Sequence, residues 1–150
     1  MPDLPILIAG GGIGGFAAAL ALGQKGRAVH LLEQASEFAE VGAGLQIGPN
    51  VFKMFAVLGI TEAINEVAVF PGSLIMRDAL SGEQIVRVAV GSQAFRDRFA
   101  YPYGVIYRPD LHKALIDACK ALPHVRASVD QKVVGFEDLG DRVRVFTEAG

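Results

Sequence analysis

The chain has 150 residues, of which 51% are hydrophobic and 20% are charged, a composition that supports a packed domain and excludes a disordered chain. Lys and Arg number 14 and Asp and Glu number 16, for a net charge of -2, which argues against nucleic acid or an anionic membrane as the main partner. The single cysteine, Cys119, excludes an internal disulfide and a multi-cysteine metal site.

The N-terminal sequence does not have the pattern of a targeting or membrane-spanning segment. It lacks the basic region that opens a secretory signal peptide. Gln24, Lys25 and Arg27 interrupt the first long apolar stretch before it reaches membrane-spanning length. We therefore expect a cytoplasmic protein with no membrane span, and the lone thiol agrees with that compartment.

The first 33 residues predict a βαβ unit. Ile6–Ala9 is a wholly apolar run, as in a buried parallel strand. Phe16–Gly23 is rich in Ala and Leu and predicts a helix, and Val29–Leu32 predicts the second strand. The fold class that follows is α/β.

A GxGxxG motif, formed by Gly10, Gly12 and Gly15, joins the predicted strand to the predicted helix. In such a motif the first glycine allows a tight turn, the second leaves room for a pyrophosphate, and the third lets helix and strand pack closely. The helix N-terminus then offers its free N–H groups to phosphates. The alternative is a glycine turn in an ordinary α/β sheet.

Glu33 closes the second predicted strand, 18 residues after Gly15. A carboxylate there can accept hydrogen bonds from a ribose diol and would repel a 2′-phosphate, so we do not expect NADP. The structural alternative is a solvated acid at a strand end.

A second glycine-rich stretch, 41–48, lies in a segment without regular pattern, 34–49. It favours a flavin, because backbone without side chains can pack against a flat ring, and an NAD-dependent dehydrogenase is the competing interpretation.

The rest of the chain mixes helical and strand patterns. We predict helices over 49–59, 61–66 and 109–122, a hairpin of strands 74–80 and 84–90, an aromatic and charged loop over 92–103, and strands over 104–107, 125–129, 133–136 and 142–147. Val86, Val88 and Val90 alternate with other residues, which predicts one buried strand face.

Several polar and aromatic side chains have structural explanations. Cys119 falls on an apolar helix stripe and is expected to be a buried small hydrophobe. We expect His30 to be structural, and no metal to be bound by His112 or His124, which lack a ligand pattern. The aromatic residues of 92–103 either line an aromatic pocket or fold over the core.

Three segments resemble the single-component FAD-dependent aromatic hydroxylases, the family of salicylate hydroxylase and the para-hydroxybenzoate hydroxylase group. They are Gly10–Gly15 with Glu33, Glu40–Asn50, and Tyr107–Leu111. Within that family, the stretch Phe95–Leu111 is most similar to 3-hydroxybenzoate 6-hydroxylases. The resemblance covers nearly the whole chain.

The resemblance implies bound FAD, with NADH and O2 as co-substrates, and a small aromatic acid as substrate. It implies hydroxylation of 3-hydroxybenzoate to 2,5-dihydroxybenzoate, with salicylate giving catechol as the alternative, and it allows a homodimer. A non-catalytic dinucleotide-binding module, or an inactive fragment, is the alternative of another class.

The resemblance also implies which residues bind the cofactor. They are Gly10, Gly12, Ile13, Gly14, Gly15, Glu33, Gln34, Ala43, Gly44, Arg108 and Val133. It implies a Rossmann-like FAD-binding domain over 1–69 and 101–150, with 70–100 beginning a β-rich substrate domain. Because family members are longer, we expect the catalytic residues to lie beyond residue 150 and residues 1–150 alone to be inactive.

Overall fold

A computed structural model describes residues 4–38 and 42–148. Its helices are α1 Ile13–Gly23, α2 Pro49–Val57, α3 Thr61–Val67, α4 Gln93–Phe99 and α5 Arg108–Lys120. Its strands are β1 Ile6–Ala9, β2 Val29–Leu32, β3 Gly44–Ile47, β4 Leu74–Arg77, β5 Gln84–Val88, β6 Gly104–Tyr107, β7 Val125–Ser128, β8 Val133–Asp138 and β9 Val143–Thr147. The chain divides into two compact units, unit 1 with Met1–Val41 and Leu111–Gly150, and unit 2 with Gly42–Asp110.

Unit 1 contains a parallel sheet in the order β1-β2-β7. Val29 pairs with Ile6 on one side and with Val125 on the other. The sheet is covered by α1, whose Phe16 and Ala19 are 2% and 0% exposed. The βαβ unit that the sequence predicts is therefore confirmed, and the α/β fold class with it.

Helix α5 carries an apolar face, because its buried residues recur at helical spacing. They are Leu111, His112, Leu115, Ile116 and Cys119. The thiol of Cys119 lies 3.5 Å from the Phe16 carbonyl oxygen, so this face packs against α1 within unit 1. The expected burial of Cys119 is confirmed at 3% exposure.

The antiparallel hairpin β8–β9 completes the strands of unit 1. Its turn contains Gly140 at φ +87°, a left-handed conformation that glycine adopts without strain. The hairpin and β1 border an apolar groove of about 750 Å³, whose lining includes Leu7, Val133 and Phe136.

Unit 2 contains two antiparallel pairs, β3–β6 and β4–β5. Its core is built by Phe52 and Phe55 of α2, Ile64 of α3 and Ile106 of β6, all at most 5% exposed. Among the described residues of both units, no helix is long and apolar enough to cross a membrane.

Two predicted irregular segments contain regular elements that lie in unit 2. The predicted irregular segment 34–49 contains β3, whose Gly44 pairs with Tyr107 of β6. The predicted loop 92–103 contains helix α4, because the Ser92 hydroxyl accepts a hydrogen bond from the Phe95 N–H and caps the helix start.

The predicted buried face of the 84–90 strand is wrong. Strand β5 pairs edge to edge with β4, which satisfies backbone hydrogen bonds and covers neither face, so Val86 and Val88 remain 44% and 45% exposed. Val90, just past the end of β5, is the one valine of the three that is buried.

Candidate functional site

The glycine turn between β1 and α1 requires glycine at two positions. Gly10 has φ +103°, and its N–H donates to the Leu32 carbonyl at 2.8 Å. A Cβ on Gly15 would lie 2.0 Å from the Gly10 carbonyl oxygen. The first turn of α1 therefore approaches the end of β1 more closely than any side chain would allow.

The N-terminus of α1 has no side-chain cap. Gly12 is the N-cap residue in an extended conformation, with φ -78° and ψ -175°, and Ile13 is the first helical residue. The first N–H groups of a helix have no partner within it, so they are available to an anion. A Cβ on Gly14 would meet nothing within 4 Å, so the space beside the first turn of α1 is open at this position.

Glu33 follows β2 and is held by the backbone. Its Oε2 accepts a hydrogen bond from the Gly11 N–H at 2.5 Å, and its Oε1 accepts one from the Ala35 N–H at 2.8 Å. The hydrogen bond from Ala35, and then that from Gly11, lowers the pKa of Glu33 below its ordinary value. At neutral pH the turn thus faces a fixed carboxylate with further lone pairs available to a diol.

Two small cavities flank Glu33. One, of about 210 Å³, is lined by Gly11, Gly12, Glu33, Ala35, Glu37, Phe38 and His112. The other, of about 230 Å³, is lined by Ala9, Gly10, Leu32, Glu33, Gln34, Gln131 and Val133. The structure therefore brings the predicted residues Gln34 and Val133 together with Gly10 and Glu33.

The remaining predicted residues lie in unit 2 and are close to one another. The Arg108 N–H donates to the Ala43 carbonyl at 3.3 Å, and Gly44 is in the strand that pairs with β6. A Cβ on Gly42 would lie 2.7 Å from the Arg108 Cβ, so the backbone just before β3 passes directly beside the arginine.

The histidines contact backbone or hydroxyl groups. His30 Nε2 lies 2.9 Å from Ser128 Oγ, and His124 Nε2 lies 2.8 Å from the Gly23 carbonyl oxygen at the end of α1. In residues 4–38 and 42–148, no three His, Cys, Asp or Glu side chains are grouped to hold a metal ion.

The sequence reasoning considered His112 only as a metal ligand and missed its place at the site. Its Nε2 lies 2.6 Å from the Gly11 carbonyl oxygen, and the side chain is 3% exposed. A signal was present, because His112 falls on the apolar face of α5, four residues before Ile116. A polar side chain on a buried face needs a hydrogen-bond partner.

A glycine turn at a helix N-terminus, with a carboxylate at the end of the next parallel strand, defines a dinucleotide-binding domain of the Rossmann type. The protein-family profile for the FAD binding domain matches residues 3–149. The chain belongs to this FAD-binding family, and FAD is its cofactor. The residues present fit FAD. Gly15 lets the start of α1 pack against the end of β1, the α1 N–H groups suit a pyrophosphate, and Glu33 suits a ribose.

Relatives of known activity match along almost the whole chain. The 3-hydroxybenzoate 6-hydroxylase of Polaromonas naphthalenivorans (strain CJ2) is 43% identical over 148 residues, which is 99% of this chain and 37% of that protein. The protein of the same name from Klebsiella oxytoca is 44% identical over 144 residues, 96% of this chain and 36% of its own length. The chain thus spans little more than a third of these relatives.

Solved structures share the fold. The tetrameric form of 2-methyl-3-hydroxypyridine-5-carboxylic acid oxygenase superposes with a TM-score of 0.83 at 25% identity, over 100% of this chain and 37% of that one. HpxO of Klebsiella pneumoniae, solved in complex with FAD, superposes with a TM-score of 0.81 at 25% identity, over 96% of this chain and 35% of its own.

Proposed function

We propose that the protein is an FAD-dependent, NADH-using monooxygenase that converts 3-hydroxybenzoate to 2,5-dihydroxybenzoate. The observation that carries the proposal is the 43% identity to a 3-hydroxybenzoate 6-hydroxylase over 99% of this chain. A match over 99% of the chain spans both glycine-rich stretches and the 107–111 segment, which also carry the resemblance in the sequence. Bound FAD supplies the redox chemistry between NADH and O2.

The cofactor-binding residues have separate proposed roles. Glu33 binds the ribose of the AMP half, and the N–H groups of Gly12, Ile13 and Gly14 bind the pyrophosphate. Gln34 and Val133 bind the adenosine side, because they line the second cavity next to Glu33.

In unit 2, Ala43, Gly44 and Arg108 are proposed to bind the flavin half. A guanidinium can hold a flavin or phosphate oxygen with planar geometry, and the Ala43 carbonyl is held by the Arg108 N–H at 3.3 Å. The proposed FAD-binding domain comprises residues 1–69 and 101–150, and 70–100 begins the substrate domain.

We further propose a small aromatic acid as substrate, a cytoplasmic location and a homodimer. A hydroxylated ring acid is supported by a second relative, the 6-hydroxynicotinate 3-monooxygenase of Pseudomonas fluorescens, 33% identical over 138 residues. The location is supported by the lone buried thiol.

The test is substrate-dependent NADH oxidation by the FAD-loaded protein as its gene encodes it. We expect 3-hydroxybenzoate to stimulate NADH and O2 consumption and to give 2,5-dihydroxybenzoate in chromatography. Salicylate and 6-hydroxynicotinate are assayed beside it at the same concentrations. Rapid formation of catechol from salicylate, with inert 3-hydroxybenzoate, would reject the substrate and retain the chemistry. No stimulation by any of the three would reject the proposed hydroxylase activity.

A further inference from the structure

His112 is the one buried polar side chain among residues 4–38 and 42–148. Its Nε2 lies 2.6 Å from the Gly11 carbonyl oxygen. Because a carbonyl oxygen only accepts, the hydrogen must be on Nε2. The ring packs edge-on against Phe16 with centroids 5.4 Å apart, so the hydrogen bond is enclosed by apolar surface.

Gly11 is held from both sides. Its N–H donates to Glu33 Oε2 at 2.5 Å, and its carbonyl accepts from His112. The two peptide planes that flank the Gly11 Cα are therefore both oriented by side chains from other elements. A glycine has no Cβ to restrict its dihedral angles, so these two hydrogen bonds supply a restriction that the residue itself lacks.

The peptide plane between Gly11 and Gly12 contains both the Gly11 C=O and the Gly12 N–H. In a trans peptide the C=O and the N–H point in opposite directions, and no cis peptide bond occurs among the described residues. With the Gly11 carbonyl directed at His112, the Gly12 N–H points away from the buried ring. That N–H is one of the uncapped donors at the start of α1.

We propose that His112 is a positioning residue for the FAD pyrophosphate: its hydrogen bond to the Gly11 carbonyl aims the Gly12 N–H at the phosphates. This inference rests on the proposed role of the α1 N-terminus in FAD binding. Packing alone gives a different expectation, because an apolar side chain would fill the same buried space without the cost of burying a polar ring.

The experiment compares His112→Gln with His112→Leu in the protein as its gene encodes it. The glutamine amide places a donor near the position of Nε2, whereas leucine fills the space and donates nothing. We expect FAD binding, measured by quenching of flavin fluorescence, to weaken about tenfold in His112→Leu, the effect of one lost buried hydrogen bond, and to be largely restored in His112→Gln.

A matched control is Cys119→Ala, two turns further along the same face of α5. It alters the packing against Phe16 without touching Gly11, so FAD affinity should stay within about twofold of the unmodified protein. The melting temperature without FAD is measured for every variant. If the role of His112 were purely structural, FAD affinity would rank the variants in the same order as their melting temperatures.

The outcomes separate the two proposals. His112→Leu binding FAD as tightly as His112→Gln or the unmodified protein overturns the positioning role and leaves the proposed function intact. Failure of the unmodified protein to bind FAD overturns both. If His112→Leu does not fold, His112→Asn replaces it, because its shorter amide ends before Gly11. Full FAD affinity in that variant also overturns the inference.

Discussion

At the scale of single residues, the carboxylate of Glu33 is the most specific group of the site. We expect Glu33→Ala to weaken FAD binding about tenfold to a hundredfold, since a hydrogen bond to a charged group contributes about 1.5–3 kcal/mol. Equilibrium dialysis against FAD measures this, with the exposed acid Glu66 changed to alanine as control. Equal affinities of the two variants would contradict the assignment.

The contribution of the Glu33 carboxylate to FAD affinity depends on pH with a defined sign. Two backbone hydrogen bonds lower its pKa in the folded protein, so the contribution is complete above the ordinary glutamate value of about 4.3 and is lost as the pH falls through the lower folded value. FAD affinity measured from pH 5 to 8 should therefore show no loss caused by Glu33. A titration in that range that disappears in Glu33→Ala would be evidence against this.

Two glycines of the turn differ sharply in what they tolerate. Gly15→Ala places a Cβ 2.0 Å from the Gly10 carbonyl oxygen, a backbone atom that cannot move aside cheaply, so we expect a loss of about 1–3 kcal/mol in the free energy of unfolding. Gly14→Ala meets nothing within 4 Å and is the matched control, expected to be neutral or slightly stabilising. Urea unfolding of both variants measures the difference, and similar midpoints would contradict it.

At the scale of elements, side chains on the apolar face of helix α5 contact backbone carbonyls in and just before α1. His112 contacts the carbonyl of Gly11 just before α1, and Cys119 contacts that of Phe16 inside it. The turn between α5 and β7 adds His124, whose Nε2 contacts the Gly23 carbonyl at the end of α1. Both ends of α1 are therefore held by histidines that lie about a hundred residues further along the chain.

The buried face of α5 predicts an unreactive thiol. Burial raises the pKa of Cys119 to about 11, from 9.0, which lowers the thiolate fraction at pH 8 about a hundredfold. We expect a disulfide reagent such as DTNB to react with the native protein at least that much more slowly than with the protein in urea. Equal rates in both states would show that this face of α5 is open to solvent.

At the scale of the whole molecule, unit 1 exposes apolar surface in the groove between β1 and the β8–β9 hairpin. Phe136 is 72% exposed and Val143 is 51% exposed, and exposed apolar patches bind hydrophobic probes. We expect Phe136→Ser to reduce the fluorescence of bound ANS without lowering the melting temperature. Val57→Ser, 68% exposed in unit 2 and outside the groove, is the matched control. Unchanged ANS fluorescence in Phe136→Ser would contradict the prediction.

Features set by local sequence were predictable. The βαβ unit, the glycine turn and the position of Glu33 all lie within 33 consecutive residues, where apolar runs and glycine spacing determine the structure. Helix α4 is the local feature that was missed, because its aromatic and charged residues hid the N-cap signal of Ser92. The α5 helix was predicted to within two residues at either end.

Long-range packing determines which distant groups meet. Strand β3 exists because Gly44–Ile47 pairs with β6, about sixty residues later, and no periodicity within the segment itself requires it. The valines of β5 alternate as a buried face would, yet they are exposed because burial depends on what covers a strand. The contact of His112 with Gly11 likewise joins residues 101 apart in the sequence. The sequence pattern predicts the secondary structure of each segment, whereas long-range packing determines that the His112 side chain orients the peptide after Gly11.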